Sequence, residues 1–336
     1  MKKFYNFMFF NTLILSSLIS ISSISWFTAW IGLEINLLSI MPLIKSVKNK
    51  YSSEASIKYF IIQAMASAML LFSILLMMNS SFNNLYMPSH ISLMTNSALM
   101  MKMGAAPFHF WLPEVTSGLN WNIIFIMLTW QKIAPMILLF YSLYMPLFLS
   151  IIIIMSSMIS GIQGLNQTCL RKIMAYSSIN HVGWMIASLM SSLNTWLYYF
   201  FIYMIINFNI MYTFFFYKIF YINQLNKLFC NKKKTKFFFM MNFLSLGGLP
   251  PFLGFLPKWI SIQMLLKMNF WSLSLLLIIF SLISLFFYMR ITLSSLSMKN
   301  SESMTKIFST LKYSYLMTNF IALFSMFSCM YLTKMF

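Results

Sequence analysis

Eleven times along this chain about twenty residues pass with almost no charge, and the gaps between these runs are short and basic. Twenty helical residues span about 30 Å, the thickness of a bilayer's hydrocarbon layer. The runs do not alternate polar with apolar, which excludes the strands of a membrane barrel. A soluble domain of 336 residues could not hide a composition that is 60% hydrophobic and 8% charged. The chain therefore reads as an all-α integral membrane protein. Spans are predicted at 6–24, 26–44, 56–78, 91–112, 121–142, 147–165, 173–192, 195–221, 237–266, 272–293 and 312–333. The opening "MKKFYNFMFFNTLILSSLIS" has the basic start of a secretory signal. It lacks a small-x-small cleavage site and a second apolar run follows at once, so it reads as a retained first span.

Charge tests the count independently. There are 23 Lys and Arg against four Glu and no Asp, a net charge of +19. In a soluble protein that balance would indicate nucleic acid. Sorted by the predicted spans, eighteen of the basic residues fall on one side, with the N-terminus. Only Lys267 and Lys334 fall on the other, and three lysines are left within spans. One missed or invented span would scramble every later loop, so the bias supports the topology. The loop "NKKKTK", Asn231 to Lys236, then calls for no nucleic acid; it sets orientation and meets anionic lipid. "SSEASIKYF" reads as a helix start, with Ser52 or Ser53 as cap, Glu54 in the first turn and Lys58 one turn on. Cys169, Cys230 and Cys329 lie far apart and form no C-x-x-C or Cys/His set, which argues against a zinc, haem or iron–sulfur site on this chain.

The informative residues are the charges inside the spans. Glu34 in "WIGLEINLL", Lys102, Lys132 and His181 in "SSINHVGWM" sit near span centres, and Lys258 lies in the second half of a longer, interrupted span. A lysine can reach the interface by snorkelling, but its side chain extends only about 6 Å. Ten residues of helix separate Lys102 or Lys132 from either surface, roughly 15 Å. A charge at such depth costs about 2.5–3.5 kcal/mol on insertion scales and normally faces a bundle interior or a water-filled cavity. A neutral histidine bonded to a neighbouring helix is a cheap alternative role for His181. There is no nucleophile–base–acid set and no phosphate-cradling glycine loop. What remains is a series of proton-exchanging groups. Desolvation and a nearby carboxylate act on a lysine in opposite senses, so a Glu/Lys pair whose spacing changes can switch protonation.

Two broken spans repeat one pattern. "GAAPFHFWLPE", Gly104 to Glu114, and "GLPPFLGFLPK", Gly248 to Lys258, share Gly, Pro, Phe, Leu and Pro at the same offsets. Each interrupts an apolar run beside an ionisable residue. The fourth and ninth spans, which hold them, run in opposite directions under the predicted topology. That is the pattern of an inverted repeat whose discontinuous helices build ion sites near the midplane. Proline frees backbone carbonyls, which lipid tolerates only where protein or water satisfies them. The broken helix and the lysine thus both call for a hydrated pocket inside the bundle.

"WIGLEINLLSIMPL", "SSEASIKYFIIQA", "MKMGAAPFHFWLPEV", "LTWQKIAP", "GLNQTCLRKIMAYSSINHVGWM" and "LSLGGLPPFLGFLPKW" occur in order through about residue 295. With them the chain resembles the NADH dehydrogenase subunit 2 family, the mitochondrially encoded antiporter-like subunits of respiratory complex I. The resemblance implies two inverted five-helix repeats, 1–145 and 146–295, followed by a matrix-side loop and C-terminal transmembrane helix over 296–336. It implies that Glu34 pairs with Lys102, that Lys132 is a central relay lysine, that Lys258 is the lysine of the second broken helix, and that His181 has a part in the relay. Eleven spans resembles the animal mitochondrial form, which lacks the first three of fourteen. The section after residue 300 matches poorly.

The expected function is proton translocation by a membrane-arm subunit of NADH:ubiquinone oxidoreductase in the mitochondrial inner membrane, N-terminus toward the matrix. The chain is expected to carry no redox cofactor, with FMN, iron–sulfur clusters and ubiquinone bound by other subunits. Its expected partners are other membrane-arm and accessory subunits and membrane lipid. The rival readings are a stand-alone cation/proton antiporter of the same superfamily and a structural spacer whose lysines only hold the arm together.

Overall fold

The apolar runs are helices in the computed structural model, which describes residues 2–45, 49–80, 89–225, 233–250, 252–297 and 319. They are α1 (Lys2–Ile21), α2 (Trp26–Ile44), α3 (Lys50–Ser80), α4 (Ser89–Met103), α5 (Trp111–Gly118), α6 (Trp121–Leu128), α7 (Trp130–Phe140), α8 (Pro146–Leu165), α9 (Leu170–Ser191), α10 (Leu193–Tyr217), α11 (Lys233–Gly247), α12 (Phe255–Lys267) and α13 (Trp271–Ser297). Among the described residues, seven helical stretches are long and apolar enough to cross a membrane: α1, α2, α3, α6 with α7, α8, α10 and α13. The fold is all-helical and of membrane type. The predicted span 312–333 lies outside the described residues except for Asn319, a buried amide that accepts a hydrogen bond from Asn242 of α11 at 2.7 Å.

The two spans read as broken are broken, and two local departures have physical causes. The span predicted over 91–112 stops at Met103, and that over 237–266 is interrupted between Gly247 and Phe255. The span predicted as continuous over 121–142 is also broken, at Thr129, whose φ and ψ are −116° and −74°. Its hydroxyl donates to the Phe125 carbonyl at 2.6 Å and so competes with the helical ladder. Six residues on, Pro135 has no N–H to offer the Gln131 carbonyl. Finally, α3 begins at Lys50, ahead of the predicted caps. Ser52 and Ser53 instead donate back to the Asn49 and Lys50 carbonyls, each at 2.7 Å. The expected Glu54–Lys58 pair forms at 2.9 Å, and Lys58 also meets Glu114 of α5 at 3.0 Å.

The chain divides into two compact units, Met1–Ser156 and Ser157–Phe336. Lipid tails are as apolar as leucine, so helices in a membrane associate through close packing rather than through water expulsion. In the first unit α1 lies along α2 where Gly32 faces the buried Ser16 and Ser20. A Cβ on Gly32 would stand 2.8 Å from the Ser20 nitrogen and 3.0 Å from the Ser16 carbonyl oxygen. The serines tolerate this dry contact because their hydroxyls donate to carbonyls one turn back, Ser16 to Leu13 at 2.9 Å and Ser20 to Ser17 at 2.8 Å. In the second unit Gly161 and Gly164 of α8 receive Ile283 and Phe287 of α13. Arg290 of α13 donates to the Leu165 and Gln167 carbonyls at the end of α8, placing a cation at the negative pole of that helix.

Replacing Gly32 with valine should cost roughly 1–3 kcal/mol through overpacking of α1 on α2. Gly247→Ala, whose added carbon meets nothing closer than 3.5 Å, should be close to neutral. The thermal midpoint of the detergent-solubilised protein, compared between the two variants, checks this difference.

Candidate functional site

The two broken helices end in the same way. At the end of α4, Gly104 has φ +73°, its N–H reaches the Met101 carbonyl at 3.3 Å, and the Ala105 N–H reaches the Met100 carbonyl at 3.1 Å. At the end of α11, Gly248 has φ +78°, its N–H reaches the Ser245 carbonyl at 3.0 Å, and the Leu249 N–H reaches the Leu244 carbonyl at 3.4 Å. Both are Schellman turns, in which a left-handed glycine reverses the chain and ties back two carbonyls. The remaining terminal carbonyls still need donors. How each unit supplies them differs, and that difference sets the state of its lysine.

In the first unit neutral side chains take the helix end. Trp111 of α5 donates its indole N–H to the Met101 carbonyl at 3.2 Å, and Gln63 of α3 donates to the Lys102 carbonyl at 3.4 Å. Lys102 itself is buried, 7% exposed, in the last turn of α4. Its ammonium has no hydrogen-bond acceptor or carboxylate within bonding distance among the described residues. It borders a small cavity lined by Leu33, Asn36, Leu37, Tyr59, Gln63, Gln131 and Pro135. Glu34 is half-buried on α2, which also supplies the cavity residues Leu33, Asn36 and Leu37, and forms no direct ion pair with Lys102. Lys132, on the first turn of α7, is 1% exposed, and its sequence neighbour Gln131 faces the Lys102 cavity.

In the second unit the lysine takes the helix end itself. Lys258, on the first turn of α12 and 6% exposed, donates from Nζ to the Gly247 carbonyl at 2.9 Å. Its ammonium also lies 5.7 Å from the centre of the Trp184 ring, within cation–π range. Gly248 is required twice over. Its backbone is left-handed, and a Cβ there would stand 2.8 Å from Lys258 Cδ and 3.0 Å from Nζ. His181 precedes Trp184 by three residues on α9, so the two share a face. Its Nδ1 is 2.9 Å from the Tyr199 hydroxyl of α10, and its ring centre is 5.0 Å from that of Tyr203. Both tyrosines are buried.

The structure thus groups Glu34 with Lys102, sets Lys132 beside a residue of the Lys102 cavity, and groups His181 with Trp184 and Lys258. Sequence reasoning passed over Asn36, Gln63 and Gln131, and over Tyr199. Their signal was weak but present: amides and a phenol inside apolar runs, two of the amides within two residues of an in-span charge. The two lysines differ in their surroundings: Lys102 borders a cavity, and the Lys258 ammonium is bonded to a backbone carbonyl.

The site belongs to a helical membrane protein with lysines buried beside broken helices, and known proteins share this fold. The profile of the family described as NADH:quinone oxidoreductase/Mrp antiporter, TM, matches residues 23–284. NADH-ubiquinone oxidoreductase chain 2 of Locusta migratoria is 48% identical over 299 residues, covering 88% of this chain and 86% of the relative. That of Aedes aegypti is 46% identical over 329 residues, 96% of each chain. A chain of the respiratory complex I from Thermus thermophilus with bound Aureothin shares the fold with a TM-score of 0.86 at 21% identity, over 96% of this chain and 78% of that one. One in the Mrp complex from Dietzia sp. DQ12-45-1b does so at 0.79 and 12%, over 96% and 74%. The chain belongs to the NADH:quinone oxidoreductase/Mrp antiporter family and, within it, to NADH-ubiquinone oxidoreductase chain 2.

Gly248→Ala should cost about 1–2 kcal/mol in backbone strain and displace Lys258 from the Gly247 carbonyl. Gly104→Ala carries the same strain but presses only on Leu112 and Trp111. Both variants should lower the thermal midpoint of the complex, whereas only Gly248→Ala should move the Lys258 ammonium in a structure of the variant.

Proposed function

We infer that this chain is a proton-translocating membrane-arm subunit of NADH:ubiquinone oxidoreductase, driven by electron transfer elsewhere in the complex. The observation that carries this reading is the burial of Lys102, Lys132 and Lys258, all 7% exposed or less, within the helices of a membrane-type fold. Insertion scales charge about 2.5–3.5 kcal/mol for each. A structural spacer would be served better by leucine or methionine at the same positions. The names of the relatives favour the respiratory complex over a stand-alone antiporter.

In this reading Glu34 modulates Lys102 and Lys132 relays the charge. His181 and Lys258 form the second set, and Lys258 hands protons toward the opposite half-channel. Glu34 acts at a distance on Lys102, so a small change in their separation alters the stability of the ammonium. Lys258 rests on the negative end of a helix, and loss of its proton would weaken the bond to Gly247 and release that carbonyl. His181 can change charge while keeping Tyr199, because a phenol either donates to a bare Nδ1 or accepts from a protonated one.

The finer assignments belong to the same proposal. The recurrence of the Gly104 turn at Gly248 supports two inverted five-helix repeats, 1–145 and 146–295, within an eleven-span topology. The distribution of lysines supports an N-terminus toward the matrix of the mitochondrial inner membrane, with anionic lipid at the basic loops. FMN, the iron–sulfur clusters and ubiquinone are assigned to other subunits, and this chain contributes no redox chemistry of its own.

The test is Lys132→Met in the assembled complex. Methionine keeps most of the volume and removes a costly buried charge, so assembly should survive. The number of protons moved per electron, measured in sealed vesicles, should fall. An undiminished ratio would remove Lys132 from the relay.

A further inference from the structure

Lys102 presents a problem that its own unit does not solve with a direct bond. An ammonium offers three N–H donors, and leaving them all unmade in a buried site is costly. Among the described residues the Lys102 ammonium has no bonded partner, and it is 7% exposed. What it does have is the cavity, with room for about one water molecule. Four of the cavity's walls are polar: Asn36, Tyr59, Gln63 and Gln131.

Two of these walls are bonded to each other. The Gln131 amide donates from Nε2 to Asn36 Oδ1 at 2.9 Å, joining α7 to α2. This leaves the Gln131 Oε1 outside that bond, on a side chain that lines the same cavity as Lys102. Gln131 is well placed to feel Lys132. It precedes that residue directly and stands just past the helix break at Thr129. Its backbone carbonyl is also the one that Pro135, another cavity wall, leaves without a helical donor.

We propose that the cavity holds one water bridging the Lys102 ammonium to Gln131 Oε1, and that the Asn36–Gln131 amide pair is the positioning device that couples Lys102 to Lys132. The water accepts from Lys102 Nζ and donates to Oε1, so no covalent step is involved. Asn36 fixes the rotation of the Gln131 amide and thereby fixes where the acceptor points. A shift of the first turn of α7, where Lys132 sits, carries Gln131 with it and changes the hydrogen bonding of Lys102. Gln131 and Asn36 are positioning residues in this scheme. The inference rests on the relay reading above and adds a connection to it.

The experiment uses the assembled complex and has two arms. A high-resolution map of the unsubstituted complex should show a water within hydrogen-bonding distance of both Lys102 Nζ and Gln131 Oε1. A dry cavity, or a water that contacts only one of them, overturns the proposal whatever the variants do. In sealed vesicles, Gln131→Met and Asn36→Leu should each lower protons moved per electron toward the value seen with Lys132→Met. The ratio is read on complex shown by native gel to be fully assembled. The exchanged pair Asn36→Gln with Gln131→Asn keeps an amide bridge of the same combined length and should recover the ratio. Full pumping in Gln131→Met while Lys132→Met pumps less sinks this inference alone. Full pumping in Lys132→Met sinks the relay reading, and the water in the map then stands or falls by itself.

Discussion

An ammonium in a bilayer is stable only where dipoles are already aimed at it, and a helix that stops inside the membrane supplies them. Most of what distinguishes this structure depends on that pairing. A continuous helix spends every carbonyl on its own N–H groups and has nothing to offer a cation. A helix closed by a left-handed glycine leaves terminal carbonyls over, together with the negative end of the helix dipole. At Gly248 the vacated end is taken by the Lys258 ammonium. At Gly104 it is taken by Trp111 and Gln63, and Lys102 faces a cavity instead. The same turn thus yields one lysine held by protein and one left to solvent-like partners.

Breaking helices in lipid has a structural cost, and the rest of each unit offsets it with close contact. Gly32 against Ser16 and Ser20, and Gly161 and Gly164 against Ile283 and Phe287, bring backbones near enough for dispersion to hold them. Serines hide their hydroxyls on carbonyls one turn back, so polar residues enter the interface without asking for water.

The parts of the fold visible in the sequence were those governed by transfer into oil. Span α2 emerged with the predicted limits, because a run such as "WFTAWIGLEINLLSIMPLI" leaves little choice of where hydrocarbon begins. Lys102, Lys132 and Lys258 stood out because nothing in a bilayer excuses a lysine at that depth. The helix breaks at Gly104 and Gly248 were readable from Gly and Pro. The break at Thr129 was not, since a threonine mid-helix ordinarily costs little, and only its hydroxyl bond to Phe125 shows what it does. The caps expected at Ser52 and Ser53 failed for a related reason: helix ends depend on a few tenths of a kcal/mol per residue, and context overrides them.

The sequence by itself determined that the chain is a helical membrane protein, where most spans lie, and which charges must be sheltered, because each follows from the free energy of moving one residue type out of water. Which partner shelters each charge was decided only in three dimensions. Gly247 for Lys258, the amide-lined cavity for Lys102, and Tyr199 for His181 come from different helices or across a break. A hydrogen bond requires about 3 Å and a direction. Residue order alone specifies neither across such gaps, and only the packed helices do.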